Sequence, residues 1–404
     1  MKWLNILYFL LFALLHFSCE NNGGGSSSVI KKIWSIKLNK LEGSQGFELP
    51  SIDGNYAYFP NGPNIECREL STGKLIWSYK IVGGGRDYHG SNFSFNSNLI
   101  VINDLFSTVS LNKFTGEFIW MAPDSGIQRD YGGMSWIDED YGYRHPFVTT
   151  PKTFIQYDLI TGNTIRSIIS DSGGVQSIIS NQGGIFIGTI KEVRNANNEP
   201  LMEFGTVTRY NNNSGLLEYS IKAKPRWFVN TNGYGFYLQT YQNTFSVPVL
   251  KDKTGYNVFY DGTTIKFDLE TGELVWKYEL PITNYRRDFP GAISVFPDEE
   301  KGLVFVTGGR DSWFCLDMET GKQLYWKRLS EYDGMIDPSS YDGNRYVFKP
   351  HTYGQYEWYI IDITTGEVVE EFDIPDDSIL SQDVKNGYVA AFGVGSFYVF
   401  KIVR

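Results

Sequence analysis

One nine-residue pattern recurs down the chain and limits its fold more than any other feature. Its consensus is D-x-x-T-G-x-x-x-W. Copies run from Glu69 to Trp77, Asn112 to Trp120, Asp158 to Arg166, Asn211 to Tyr219, Asp268 to Trp276, Asp317 to Tyr325 and Asp362 to Glu370. The fifth place is always glycine: Gly73, Gly116, Gly162, Gly215, Gly272, Gly321 and Gly366. These glycines lie about 43–57 residues apart, the period of propeller blades.

The chemistry of the pattern is that of a tight hairpin. Each copy joins two runs rich in β-branched and aromatic residues. Glycine supplies the left-handed residue of a type I turn with a G1 bulge. The Asp or Asn folds its side chain onto nearby backbone N–H groups, and Thr does so more weakly. The aromatic four residues after the glycine falls in the outgoing strand, where a flat side chain can pack between neighbouring sheets. Trp34, Trp77, Trp120, Tyr219, Trp276 and Tyr325 are the candidates for that docking role. Local turn formation and packing account for the whole motif, so no catalysis is placed on it.

The two ends of the chain complement each other. Lys31 to Leu38 (KIWSIKL after its first Lys) resembles the outgoing strand Lys74 to Ile81, but no turn precedes it. Tyr388–Phe392 and Ser396–Ile402 read as strands with no outgoing partner. Joining the N-terminal strand to the C-terminal blade gives an all-β, eight-bladed propeller of four-stranded antiparallel blades. It also hides an open sheet edge. Seven blades and a stray strand is the alternative. The expected blade limits are about 42–82, 86–122, 130–169, 173–222, 227–280, 288–329, 334–374, and 379–404 with 30–38. Blades four and five are longest, and their extra residues, Lys191–Pro200 and Gln239–Thr254, are expected in loops on one face. Composition agrees with β structure: 28 Phe, 27 Tyr and 10 Trp favour strands, and Ala, the strongest helix former, is scarce.

The N-terminus reads as an address. Met1-Lys2 precedes an apolar run from Leu4 to Phe17, then Ser18-Cys19. This is a signal-peptide layout over 1–18, too short for a comfortable membrane span. Cys19 resembles the acylated cysteine of a bacterial lipoprotein box, although His16 and Phe17 depart from the usual residues there. Residues 19–29 are a lipidated Cys and a flexible Gly/Ser-rich tether, and 30–404 form the propeller domain. An ordinary secretory signal with an incidental Cys19 is the alternative.

Several chemistries find no support. Net charge is −10 with no Lys/Arg-rich run, which argues against a nucleic-acid binder. No C-x-x-C spacing, G-x-S-x-G elbow or phosphate-loop ending occurs. Gly83–Gly90 reads as a connection, and Asp138–Gly142 as a solvated turn without calcium-loop alternation. No catalytic, cofactor or metal residue is assigned.

The repeat resembles the tryptophan-docking motif of the pyrroloquinoline-quinone (PQQ)-like β-propellers over residues 30–404. That superfold hosts quinone dehydrogenases and non-catalytic scaffolds alike. The layout of a tethered eight-bladed lipoprotein is similar to the BamB type, which assists outer-membrane β-barrel assembly. The resemblance implies a monomeric scaffold for envelope proteins, held at the bacterial outer membrane by Cys19, facing either side.

Two alternatives stay open. A PQQ-dependent dehydrogenase is expected to carry calcium and often a vicinal cysteine pair, but Cys67 and Cys315 fall on separate blades. A glycan or small-ligand binder is suggested by Trp136, Tyr141, Tyr143, Trp227, Tyr234, Tyr237, Tyr353, Tyr356 and Trp358 near expected loops. Arg86, Arg129, Arg226, Arg286, Arg287 and Arg310 would make a positive funnel if they faced a central channel.

Overall fold

The computed structural model describes residues 28–39, 50–80, 92–103, 107–123, 134–145, 152–170, 174–181, 183–194, 200–222, 226–227, 249–259, 262–281, 292–308, 312–329, 339–350, 358–372, 379–393 and 395–403. Their regular structure is entirely β, and none of them forms a helix long and apolar enough to cross a membrane.

The strands form eight antiparallel sheets, each built from strands consecutive in the chain except the last. Blade one runs from Ser51 to Lys80, blade two from Asn92 to Pro123, and blade three from Met134 to Ile169. Blade four runs from Gly174 to Trp227, blade five from Val249 to Tyr278, blade six from Ala292 to Arg328, and blade seven from Ser340 to Phe372. Blade eight takes three strands from the C-terminal region, Ile379–Lys385, Tyr388–Gly393 and Ser396–Ile402, and its fourth is Ile30–Lys37. Ile30 lies opposite Ile402 and Lys37 opposite Ser396. The ring thus closes through the N-terminal strand, and the seven-bladed alternative is excluded.

Burial follows strand position. The middle strands are covered on both faces by neighbouring blades, so Leu303–Gly308 and Trp358–Asp362 read as continuous apolar runs. The outer strands alternate instead: in Leu75–Lys80 only Trp77 is buried. The apolar core is divided into clusters, each spanning one blade–blade interface. Val101 and Trp120 of blade two meet Ile137, Tyr157 and Leu159 of blade three. At the closure, Phe397 and Val399 of blade eight meet Ile52, Ala57 and Phe59 of blade one, with the Phe59 and Phe397 rings stacked 3.8 Å apart.

Two sequence expectations are corrected. Lys191–Pro200 is not all loop: strands Gly184–Arg194 and Pro200–Asn211 pair down to Arg194 opposite Pro200. The extra residues lengthen a ribbon. Blade five also starts later than residue 227. Arg226–Trp227 pairs with Met202 and Glu203 of blade four, and the first strand of blade five is Val249–Lys251, inside the segment expected as loop. In both places period-2 alternation is weak, which blurs the boundary between strand and loop.

Candidate interaction surface

The topology gives the ring two unlike faces. In each blade, antiparallel order puts the first-to-second and third-to-fourth turns at one end. The second-to-third and blade-to-blade connections lie at the other end. First strands of neighbouring blades touch one another, for example in blades two and three and in blades eight and one, so they line the axis. The third-to-fourth turns are uniform, each of the seven repeat turns filling five residues such as 70–74 and 113–117. The opposite face gathers the unequal connections, from 62–63 within blade one to 228–248 between blades four and five.

Blade two shows how a repeat turn is built. Asn112 Oδ1 accepts the N–H groups of Phe114 at 2.9 Å and Thr115 at 3.0 Å. Gly116 N donates to Asn112 O at 2.9 Å with φ +72°, and the register slips between Ser110 and Leu111 as a bulge. The glycine has a second duty. A Cβ there would lie 2.7 Å from the Trp77 ring of blade one. Trp77 covers the turn and donates its Nε1–H to Lys113 O at 2.9 Å.

The same arrangement joins most blades. Trp34 sits on Gly73, Trp120 on Gly162, Tyr219 on Gly272, Trp276 on Gly321 and Tyr325 on Gly366. Each donates to the carbonyl of the residue that follows the Asp, Asn or Glu opening the turn, as Trp34 does to Leu70 O at 2.7 Å, Trp120 to Leu159 O at 2.7 Å and Trp276 to Met318 O at 2.8 Å. Tyr219 reaches Leu269 O at 2.9 Å, and Tyr325 reaches Ile363 O.

Two interfaces depart from the rule. Between blades three and four the docking place holds Arg166, whose Cδ lies 3.1 Å from where a Cβ of Gly215 would be. The carbonyl of Asn212 is then served by the buried Gln156 of blade three, Nε2 to O 2.9 Å. Between blades seven and eight the docking place holds Glu370. Its carboxylate accepts Ser28 Oγ at 2.6 Å and Val29 N–H at 2.5 Å, which clasps the entry of the closing strand. The chain N-terminal to Ser28 therefore leaves from the turn face.

A second circuit runs around the axis on the turn face. Asp53 of blade one pairs with Lys113 of blade two at 2.8 Å, and Asn96 Nδ2 donates to Asp138 O at 3.2 Å. Ser180 Oγ donates to Asp138 at 2.6 Å, Tyr341 donates to Asp298, and Lys301 of blade six reaches Asn344 O of blade seven. Asp383 of blade eight accepts Ile52 N–H at 2.7 Å, and burial pushes its carboxyl above the ordinary range. In the repeat turns the direction is opposite. The hydroxyl and N–H of Thr161 hold the Asp158 carboxyl below its ordinary value, and Thr320 does the same for Asp317. Sequence reading missed the axial circuit; its one visible trace is the Asp or Asn that ends successive first strands.

Other singled-out residues are placed as follows. Cys67 packs between blades one and two and Cys315 between blades six and seven; both are free and buried, and burial pushes each thiol up to about 12. They form no vicinal pair, and among the described residues no group of His, Cys, Asp or Glu is arranged to hold a metal ion. Cys67 and Cys315 are therefore not the vicinal pair that the dehydrogenase alternative often carries. Tyr143 and Trp358 are buried, and Trp136 and Tyr141 pack against the core between blades three and four. They are interface aromatics. Tyr234, Tyr237, Tyr353 and Tyr356 lie outside the described residues, as do Cys19, Arg86, Arg129, Arg286, Arg287 and Arg310; Arg226 and Trp227 are described only as strand.

Blade four departs most from its neighbours, and does so on the long-connection face. Its first strand pairs only as far as Gly174 opposite Ile190, while the next two continue to Arg194 and Pro200. The ribbon 191–194 with 200–204 therefore extends beyond the body of the sheet, and among the described residues the 191–194 edge has no strand beside it.

The repeat and ring define an eight-bladed β-propeller similar to the PQQ-like and BamB propellers. Residues 261–373 match the family model described as outer membrane protein assembly factor BamB. Among solved structures, BamB from Moraxella catarrhalis is 15% identical with a TM-score of 0.61, covering 92% of this chain and 100% of that one. A europium-containing methanol dehydrogenase is 13% identical with a TM-score of 0.61, covering 93% and 94%. The computationally designed Ika8 protein is 15% identical with a TM-score of 0.61, covering 91% and 99%. No curated protein sequence matches the chain significantly. At these identities the likeness is one of fold, shared by an assembly factor, an enzyme and a design.

Proposed function

We propose that the chain is a non-catalytic envelope lipoprotein whose propeller serves as a protein-binding scaffold at the outer membrane, in outer-membrane protein assembly. The observation that carries this is the division of the ring. One face carries the seven repeat turns of equal length, six of them covered by an aromatic of the neighbouring blade. The other collects the variable connections and the blade-four ribbon, whose edge Lys191–Arg194 can take an added strand. The family match over blades five to seven supports the same reading. Acylation of Cys19 would hold the molecule at the membrane, with residues 20–27 as tether.

Site-specific photocrosslinking in cells tests it. A photoreactive residue at Glu192 or Glu203 is expected to capture defined envelope proteins, and one at Ser71 or Glu319 in the turns is not. Equal capture from both faces, or none from the ribbon while purified protein binds glycans, would defeat the proposal. Cys19→Ala is expected to release the protein from membranes on fractionation; retention would refute the lipid anchor.

A further inference from the structure

The turn face is chemically divided along its circumference. In blades two, three and four the repeat turns present Phe114, Ile160 and Leu216, which are 50%, 78% and 69% exposed. Phe118 and Leu217 follow on the outgoing strands at 54% and 46%, as Leu274 does in blade five at 47%. The turns 159–163 and 212–216 contain no charged residue. At the place of Phe114 and Ile160, blades five and six carry Glu270 and Glu319; at the place of Leu216, blades five to seven carry Glu273, Lys322 and Glu367, as blade two carries Glu117, all of them exposed. Hydrophobic packing does not account for the arc, because Trp77, Trp120 and Arg166 already cover the inner side of these turns.

We infer that the apolar arc of blades two to four rests in the headgroup–acyl boundary of the lipid bilayer to which the chain is tethered, which rests on the lipid-anchor reading above. Three observations converge on that occupant. The chain leaves blade eight from this same face, at Ser28 beside Glu370. The nine residues from Cys19 to Ser27 span at most about 30 Å, so an acylated Cys19 keeps the turn face close to the bilayer. The turn tips set the tilt: Phe114 and Ile160 can enter the boundary, where the matching Glu270 and Glu319 of blades five and six would carry a charge into it. Exposed Phe, Ile and Leu are suited to such interfacial contact.

The test uses the full acylated protein in vesicles of phosphatidylethanolamine and phosphatidylglycerol doped with a photoreactive phospholipid. Flotation reports anchoring, and mass spectrometry maps the lipid adducts. Adducts concentrated in 112–118, 158–165 and 211–217, and severalfold fewer in 268–273 and 317–322, are expected. The variant Phe114→Ser/Ile160→Ser/Leu216→Ser should still float and melt as the parent does, with arc adducts reduced to the level of blades five and six. Ile160→Ser alone gives a milder check should the triple variant melt early. A protein that does not float overturns the anchor and this inference together. One that floats with adducts spread evenly, or with the arc crosslinked to a second copy or another protein instead of lipid, overturns the inference alone.

Discussion

The two faces of the ring are made by the same strands but obey different rules. On the turn face every repeat connection has one length, because the next blade's glycine must sit under the previous blade's aromatic. A residue added there would move the carbonyl that Trp77 or Trp120 needs. On the other face, the strand ends are joined by connections of unequal length, from 62–63 to 228–248. Regularity in a repeat protein therefore marks where blades hold one another, and irregularity marks where sequence is free to serve a partner.

The largest effect that would sharpen this contrast is Trp77→Ala, which removes an indole that fills an interface and donates a hydrogen bond; a loss of about 3–5 kcal/mol is expected in urea unfolding. The matching change Arg166→Ala should cost less than about 1 kcal/mol, since Gln156 carries the hydrogen bond there. Equal costs would mean that the docking position is not what locks the turn face. Gly116→Val should rank close to Trp77→Ala, combining a strained positive φ with a clash against Trp77.

Glu370→Gln comes next. It weakens a charged acceptor for Val29 N–H, with a cost of about 1–2 kcal/mol, and amide exchange should quicken first across Ile30–Lys37. Uniform quickening around the ring would show that the closure is not a separate weak point. The smallest effect concerns pH. The carboxyls of Asp158, Asp268 and Asp317 are held below their ordinary values by Thr N–H and hydroxyl donors. Their stabilising contribution is full above the ordinary Asp value of about 4 and is lost as pH falls through the lower folded value. Asp158→Asn should keep the turn, since Asn112 and Asn211 fill the same place, and should flatten part of the acid limb of the pH–stability curve.

Blade number, closure and turn type were legible because each is written in a few adjacent residues. The phase of Gly73 to Gly366 counts the hairpins, and the unmatched strand around Trp34 reveals the circular join. Interactions between distant segments were not legible. Gln156 serving Asn212, Lys113 pairing with Asp53, and Glu370 clasping Val29 each join different blades, and no local pattern names the partner. Of the aromatics near expected loops, Tyr143 and Trp358 lie in buried middle strands, where aromatic content reports packing. The blade-four ribbon looked like a loop because Asn and Pro interrupt its alternation.

The circular join also sets an order of events. Ile30–Lys37 emerges first during synthesis, yet its partner Ser396–Ile402 emerges after every other blade. Until then blade one has no neighbour for Trp34 to bridge, and both ends of the growing arc present bare interfaces. Bringing together strands so far apart in the chain carries a length-dependent entropy of roughly 5 kcal/mol, met only when the last blade is available. The molecule thus behaves as a clasped bracelet: a chain cut short anywhere before Ser396 cannot shut, and holds an exposed edge ready for degradation or for the wrong strand.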